Sequence, residues 1–108
     1  MNFKQYQEKT KKTAIYPENR KFAYLSLGLA GEAGEVAEKF KKIIRDKEGV
    51  VSKEDKEEIK KELGDVLWYV SQISAELDFP LEEVADKNLK KLFSRKERKK
   101  LKGDGDNR

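Results

Sequence analysis

Two pairs of acidic residues have the spacing that places side chains on one face of a helix. Glu32 and Glu35 are three residues apart, and so are Glu62 and Asp65. Residues three apart are neighbours on a helix surface, so each pair presents two carboxylates together. Carboxylate oxygens are the ligands that hard divalent cations prefer. Because the chain has no His and no Cys, such a site favours Mg²⁺ or Mn²⁺ over zinc.

Four segments with helical spacing of their apolar residues must position these acids, and no strand pattern competes with them. They cover about residues 3–13, 20–46, 52–77 and 80–95. Three glycines in the second segment indicate a kink or the close approach of another helix or a ligand. Ser52, with Asp55 three residues later, has the pattern of a helix N-cap. The last segment carries an apolar stripe that we expect to be buried, from Leu81 to Leu92.

A turn near Gly49 would set both acidic pairs at one level. The link between the second and third segments is short enough to make them antiparallel neighbours. Folding the chain at this turn places Glu35 opposite Glu62 and Glu32 opposite Asp65. All four carboxylates then lie about 20 Å from the turn, at a rise of 1.5 Å per residue. The sequence therefore predicts an all-α, four-helix protomer built on a long antiparallel helical hairpin that packs into an oligomeric helical bundle.

Composition narrows the classes of chemistry that remain. The 108 residues, of which 36% are hydrophobic, suffice for one domain with a modest core. Without Cys or His, disulfides, thiolate nucleophiles, zinc ribbons and His-dependent triads are excluded. No stretch is apolar enough for a membrane span or a signal peptide, so we expect a cytoplasmic protein with no membrane partner. We expect one domain over residues 1–102 and a flexible tail over 103–108, which has no apolar side chain.

The stretches around the acidic pairs, Gly28–Glu38 and Lys61–Tyr69, resemble the MazG-like nucleotide pyrophosphohydrolases of the all-α NTP pyrophosphatase group. The similarity extends over nearly the whole chain, as in the small single-domain members. It implies hydrolysis of an NTP or dNTP between the α and β phosphates, giving a monophosphate and pyrophosphate, with a possible role in clearing unwanted nucleotides. By the same resemblance, Mg²⁺, with Mn²⁺ as a possible substitute, would be held by Glu32, Glu35, Glu62 and Asp65.

Hydrolysis requires a group that accepts a proton from the attacking water. Because the chain has no His, only a carboxylate or a metal-bound hydroxide is available for this role. Glu32 and Glu35 are both candidates for this catalytic role. Tyr69 lies one turn after Asp65 and is either a half-buried core residue or a contact to a phosphate or sugar. Trp68, Phe22 and Tyr24 are interpreted as core residues rather than base-stacking ones.

Asn88, Lys91 and Arg95 share one face of the fourth segment. By the resemblance, this face contacts the substrate's phosphates or helps to close the site. A solvated basic face is the other interpretation.

Three other functions compete with this one. A helical nucleic-acid-binding module could use the basic stretch 87–102, but that stretch has one aromatic residue and leaves the carboxylates unexplained. A di-iron bundle normally uses His ligands, and a structural protein would leave the acids solvated. We therefore predict an enzyme without a nucleic-acid partner. Because so small a protomer leaves part of its apolar stripe exposed, we also predict a homodimer or homotetramer.

Overall fold

The computed structural model describes residues 1–108 as four helices with no strand. The helices are α1 (Phe3–Lys11), α2 (Lys21–Lys47), α3 (Lys53–Glu76) and α4 (Leu81–Glu97). The prediction of an all-α protein with four helices is confirmed. None of these helices combines the length and the apolar character that crossing a membrane requires.

The turn between α2 and α3 is built from residues suited to ending one helix and starting the next. Glu48 and Gly49 both have left-handed backbone angles, with φ of 55° and 79°. The Ser52 hydroxyl accepts a hydrogen bond from the Asp55 backbone N–H at 3.1 Å, and the Asp55 carboxylate accepts one from the Ser52 N–H at 2.9 Å. The predicted N-cap is thus confirmed as a reciprocal capping box.

Helix α2 packs against α3 and against no other helix. Near the turn, Lys39 Nζ lies 2.5 Å from a carboxylate oxygen of Glu58. Farther along, Gly28 lies directly against Tyr69, and a Cβ at this glycine would overlap the tyrosine ring. The predicted close approach of another helix is therefore found at Gly28. At Gly31, by contrast, a Cβ would point into open space.

Helix α1 holds the α3–α4 connection through polar side chains. The Gln7 amide donates to the carbonyl of Phe79 at 3.1 Å and accepts from the backbone N–H of Leu81 at 3.0 Å. One turn later, the buried hydroxyls of Thr10 and Ser71 lie 3.1 Å apart. These bonds satisfy buried polar groups and fix α1 across α3 and the start of α4.

The apolar core of one chain is small. The buried hydrophobic residues are Leu25, Ile43, Ile59 and Leu81. The expectation of a buried stripe on α4 is wrong beyond Leu81, since Val84 is 37% exposed, Leu89 is 51% exposed and Leu92 is 39% exposed. The stripe is present in the sequence, but α4 contacts only α1 and α3 and one chain does not cover it.

Candidate metal centre

Three carboxylates from α2 and α3 converge near the middle of the two helices. Oxygen atoms of Glu32, Glu62 and Asp65 all lie within 4.8 Å of one another. Glu32 and Glu62 are half-buried, and Asp65 is exposed. The fourth predicted acid, Glu35, lies outside this group and is exposed. The structure thus brings three of the four predicted acids together.

No cationic side chain lies within ion-pair distance of this cluster, although the pKa of Lys39 is raised by its bond to Glu58 and, in addition, by the charges of Glu62 and Glu35. Glu32, Glu62 and Asp65 form no ion pair and accept no hydrogen bond from the protein. Burial raises the pKa of Glu32 above its ordinary value, and the charges of Asp65, Glu62 and Glu35 raise it further. Glu35 is therefore close enough to act on Glu32 electrostatically, although its oxygens are not part of the cluster.

The donor set fits a hard divalent cation. Three carboxylates without a protein partner supply oxygen ligands and excess negative charge, and they come from two helices that hold them in place. With neither His nor Cys in the chain, the site offers none of the softer ligands that transition metals favour. A bound divalent cation would offset the repulsion among these acids.

A cleft of about 290 Å³ opens beside the cluster, and both Glu32 and Asp65 line it. Its remaining walls are Thr13, Trp68 and Tyr69. The indole N–H of Trp68 donates to the Thr13 hydroxyl at 2.8 Å, and the Trp68 and Tyr69 rings meet edge to face at 4.9 Å. These contacts fix the wall of the cleft in one orientation.

Tyr69 therefore lies beside the acids, as its position one turn after Asp65 predicts. Burial raises the pKa of its hydroxyl, and Tyr24, Glu32 and Asp65 raise it further, so the group stays a hydrogen-bond donor at neutral pH. Because the Tyr69 ring packs against Gly28, the position of its hydroxyl depends on how closely α2 and α3 approach each other.

A cluster of aromatic side chains extends from this wall. The sequence pattern did not predict that these residues would contact one another. Tyr16 stacks on Tyr24 with ring centroids 5.8 Å apart and meets Trp68 edge-on at 6.2 Å. The Tyr16 hydroxyl donates to Glu76 at 2.5 Å, and burial followed by this bond raises its pKa to about 12. Trp68 lies three residues after Asp65, and this spacing is the signal that links it to the site.

The structure does not bring the α4 residues to this cleft within one chain. Helix α4 makes no contact with α2. Asn88 and Lys91 instead line a separate cavity of about 630 Å³, together with Asp106 of the C-terminal segment. Arg95 is buried, and its guanidinium donates to backbone carbonyls of the same segment.

Comparison with known proteins identifies the family of this chain. The MazG nucleotide pyrophosphohydrolase domain matches residues 20–99, which include all three clustered acids. The Gene 37 protein of Mycobacterium phage L5 is 48% identical over 109 aligned residues, covering 95% of this chain and 96% of that protein. No solved structure matches. The chain belongs to the MazG nucleotide pyrophosphohydrolase family.

Proposed function

We propose that this protein hydrolyses nucleoside triphosphates, NTP or dNTP, at the α–β phosphate bond in the presence of Mg²⁺, for which Mn²⁺ can substitute. The products are a nucleoside monophosphate and pyrophosphate, and the biological role is removal of unwanted nucleotides from the pool. The observation that carries this proposal is the convergence of three unpaired carboxylates in a MazG-family chain.

Glu32, Glu62 and Asp65 would hold the metal, joined by Glu35 if its side chain turns toward the cluster. A divalent cation at this place neutralises phosphate charge and makes water a better nucleophile. Glu32 and Glu35 are the candidate general bases, because each carries a carboxylate that can accept the water's proton. In the reaction, the water oxygen bonds to the α phosphorus while the bond from that phosphorus to the bridging oxygen breaks.

The substrate also needs groups that bind its phosphates and nucleoside. Tyr69 supplies a hydroxyl donor in the cleft, and Asn88, Lys91 and Arg95 supply an amide and two cations. Since α4 does not reach α2 within one chain, we propose that a second chain brings its α4 to the cleft.

A homodimer or homotetramer, in which antiparallel α2–α3 hairpins pack together, would provide that second chain. Support comes from apolar side chains that one chain leaves exposed, such as Leu27 at 73%, Ile44 at 68% and Phe93 at 58%. Light scattering at micromolar concentration should give two or four times the mass of one chain. A monomer at that concentration would refute the assembly.

The reaction is tested by separating the products of an NTP and dNTP panel, with Mg²⁺, in water enriched in ¹⁸O. We expect monophosphate and pyrophosphate, with the heavy oxygen in the monophosphate, because attack falls on the α phosphorus. Heavy oxygen in the pyrophosphate would mean attack on the β phosphorus. Diphosphate with orthophosphate would mean cleavage of the other anhydride bond.

The Glu62→Gln variant tests whether the carboxylate cluster is responsible. Its matched control is Glu57→Gln, an exposed residue on the same helix that pairs only with Lys60. Turnover should be lost with EDTA and in Glu62→Gln and kept in Glu57→Gln. Equal turnover in both variants would separate the activity from the cluster.

A further inference from the structure

The C-terminal segment 103–108 folds back against α4. The Arg108 guanidinium donates to the carbonyls of Leu101 and Gly105 at 2.9 and 2.5 Å, which closes the segment into a compact loop. This loop carries Asp106 to the basic face of α4.

Asp106 lies against two cations of that face. Its carboxylate is 3.1 Å from Lys91 Nζ and 3.6 Å from an Nη atom of Arg95. Lys91 first, and Arg95 after it, hold the pKa of Asp106 below its ordinary value. The Asp106 side chain is nevertheless 84% exposed, so water screens both ion pairs and they hold the loop only weakly.

Every hydrogen-bond acceptor of the Arg95 side chain belongs to this loop. Its side chain is 5% exposed, and its Nη2 donates to the carbonyls of Gly105 and Asp106. No residue of α1 to α4 accepts a hydrogen bond from the guanidinium, and the buried Nε has no partner. A buried guanidinium without an anion is costly, so Arg95 needs either this loop or another anion in its place.

We propose that Asp106 is an exchangeable occupant of the Lys91 and Arg95 face, to which the proposed function assigns the substrate's phosphates, and that these phosphates or the pyrophosphate product displace it. This inference rests on the proposed function. A polyphosphate carries more negative charge than one carboxylate, and its oxygens can engage a guanidinium at two points. The loop 103–108 is then a gate that is closed in the free protein and open when phosphate is bound.

The test compares Asp106→Asn with Asp104→Asn in the full chain. Both variants remove one negative charge from the same loop, but Asp104 has no hydrogen bond or ion pair in the structure. The probe is inorganic tripolyphosphate, and its dissociation constant is measured by calorimetry in EDTA, so that neither metal nor turnover contributes. Because water screens these ion pairs, the expected change is modest: Asp106→Asn should bind about two- to five-fold more tightly than the natural chain, with Asp104→Asn unchanged.

Equal tightening in both variants would reduce the effect to general charge and overturn the gate. No change, or weaker binding, in Asp106→Asn would overturn it as well, because the carboxylate would then not compete.

These results are separable from the reaction itself. A protein that hydrolyses NTP but shows no Asp106→Asn effect loses the gate alone. A protein that hydrolyses none of the panel, yet binds tripolyphosphate more tightly as Asp106→Asn, loses the proposed reaction and keeps the anion site.

Discussion

The acidic residues of α2 and α3 have different surroundings near the turn and in the middle of the two helices. Near the turn, acids are paired with lysines across the two helices. Asp55 lies 2.9 Å from Lys47, and Glu58 lies 2.5 Å from Lys39. The Lys47 pair, together with the bonds from Ser52, lowers the pKa of Asp55 to about 2.

In the middle of the same helices, the pattern is reversed. The clustered acids have no lysine partner, and the pKa of Glu32 is raised. Paired acids hold the helices together, whereas unpaired acids facing one another repel, and the cation that we propose would offset this repulsion. The comparison separates a part of the two helices whose acids contribute to stability from a part whose acids lower it, and the second part is the proposed site.

The largest expected effect comes from removing one charge of the unpaired cluster. Glu62→Gln should lower turnover about 100-fold or more, because a ligand to the proposed metal is lost. In metal-free buffer, the same variant should be at least as stable as the natural chain, because one repulsive charge is gone. Steady-state kinetics and urea unfolding check the two halves of this prediction.

A fall in both turnover and metal-free stability would mean that Glu62 supports the fold and not a cation. Glu57→Gln, on the exposed side of α3, should leave both quantities within about two-fold and about 0.5 kcal/mol of the natural chain.

The next effect concerns the contact that sets the spacing of α2 and α3. Gly28→Ala should destabilise the protein by roughly 1–3 kcal/mol, because the added Cβ would overlap the Tyr69 ring and must displace it. Gly31→Ala is the matched control, since nothing lies within 4 Å of its Cβ position. That control should stabilise α2 by about 0.5–1 kcal/mol. Thermal unfolding measures both, and equal effects would show that Gly28 is not a close contact.

The smallest expected effect is on the pH dependence of stability, which the pairing of Asp55 should change. Asp55 has a lower pKa in the folded chain than in the unfolded chain. Its contribution to stability is therefore complete above pH of about 4 and is lost as pH falls toward about 2. Over that range, Asp55→Asn should lose less stability than the natural chain does. Urea unfolding at pH 6 and near pH 2.5 gives the comparison, with Asp104→Asn as the control, and parallel losses in all three proteins would contradict the pairing.

Much of the fold could be predicted because local spacing determines it. The helix boundaries follow apolar periodicity and the Ser52 cap, and Glu32 faces Asp65 because both are equally far from the turn. Residues three apart are offset by about 60° around a helix axis, so a spacing of three does not aim both side chains at one point. Glu62 and Asp65 nevertheless both join the cluster while Glu35 does not, so the spacing alone does not predict which carboxylates meet.

The contacts that could not be predicted are polar and lack periodicity. The bonds of Gln7 to the α3–α4 connection and of Trp68 to Thr13 join residues far apart in the chain. The contact of Asp106 with α4 comes from a segment with no apolar residue, so no hydrophobic pattern marks it. In addition, the exposed stripe of α4 has the same sequence pattern as a buried one.

The central claim is that the cluster of Glu32, Glu62 and Asp65 binds a divalent cation. The most direct test is titration of nucleotide-free protein with Mn²⁺, with free Mn²⁺ followed by electron paramagnetic resonance. Saturable binding by the natural chain and by Glu57→Gln, lost in Glu62→Gln and in Asp65→Asn, is the expected result. Binding that is equal in all four proteins, or absent from the natural chain, would contradict the account.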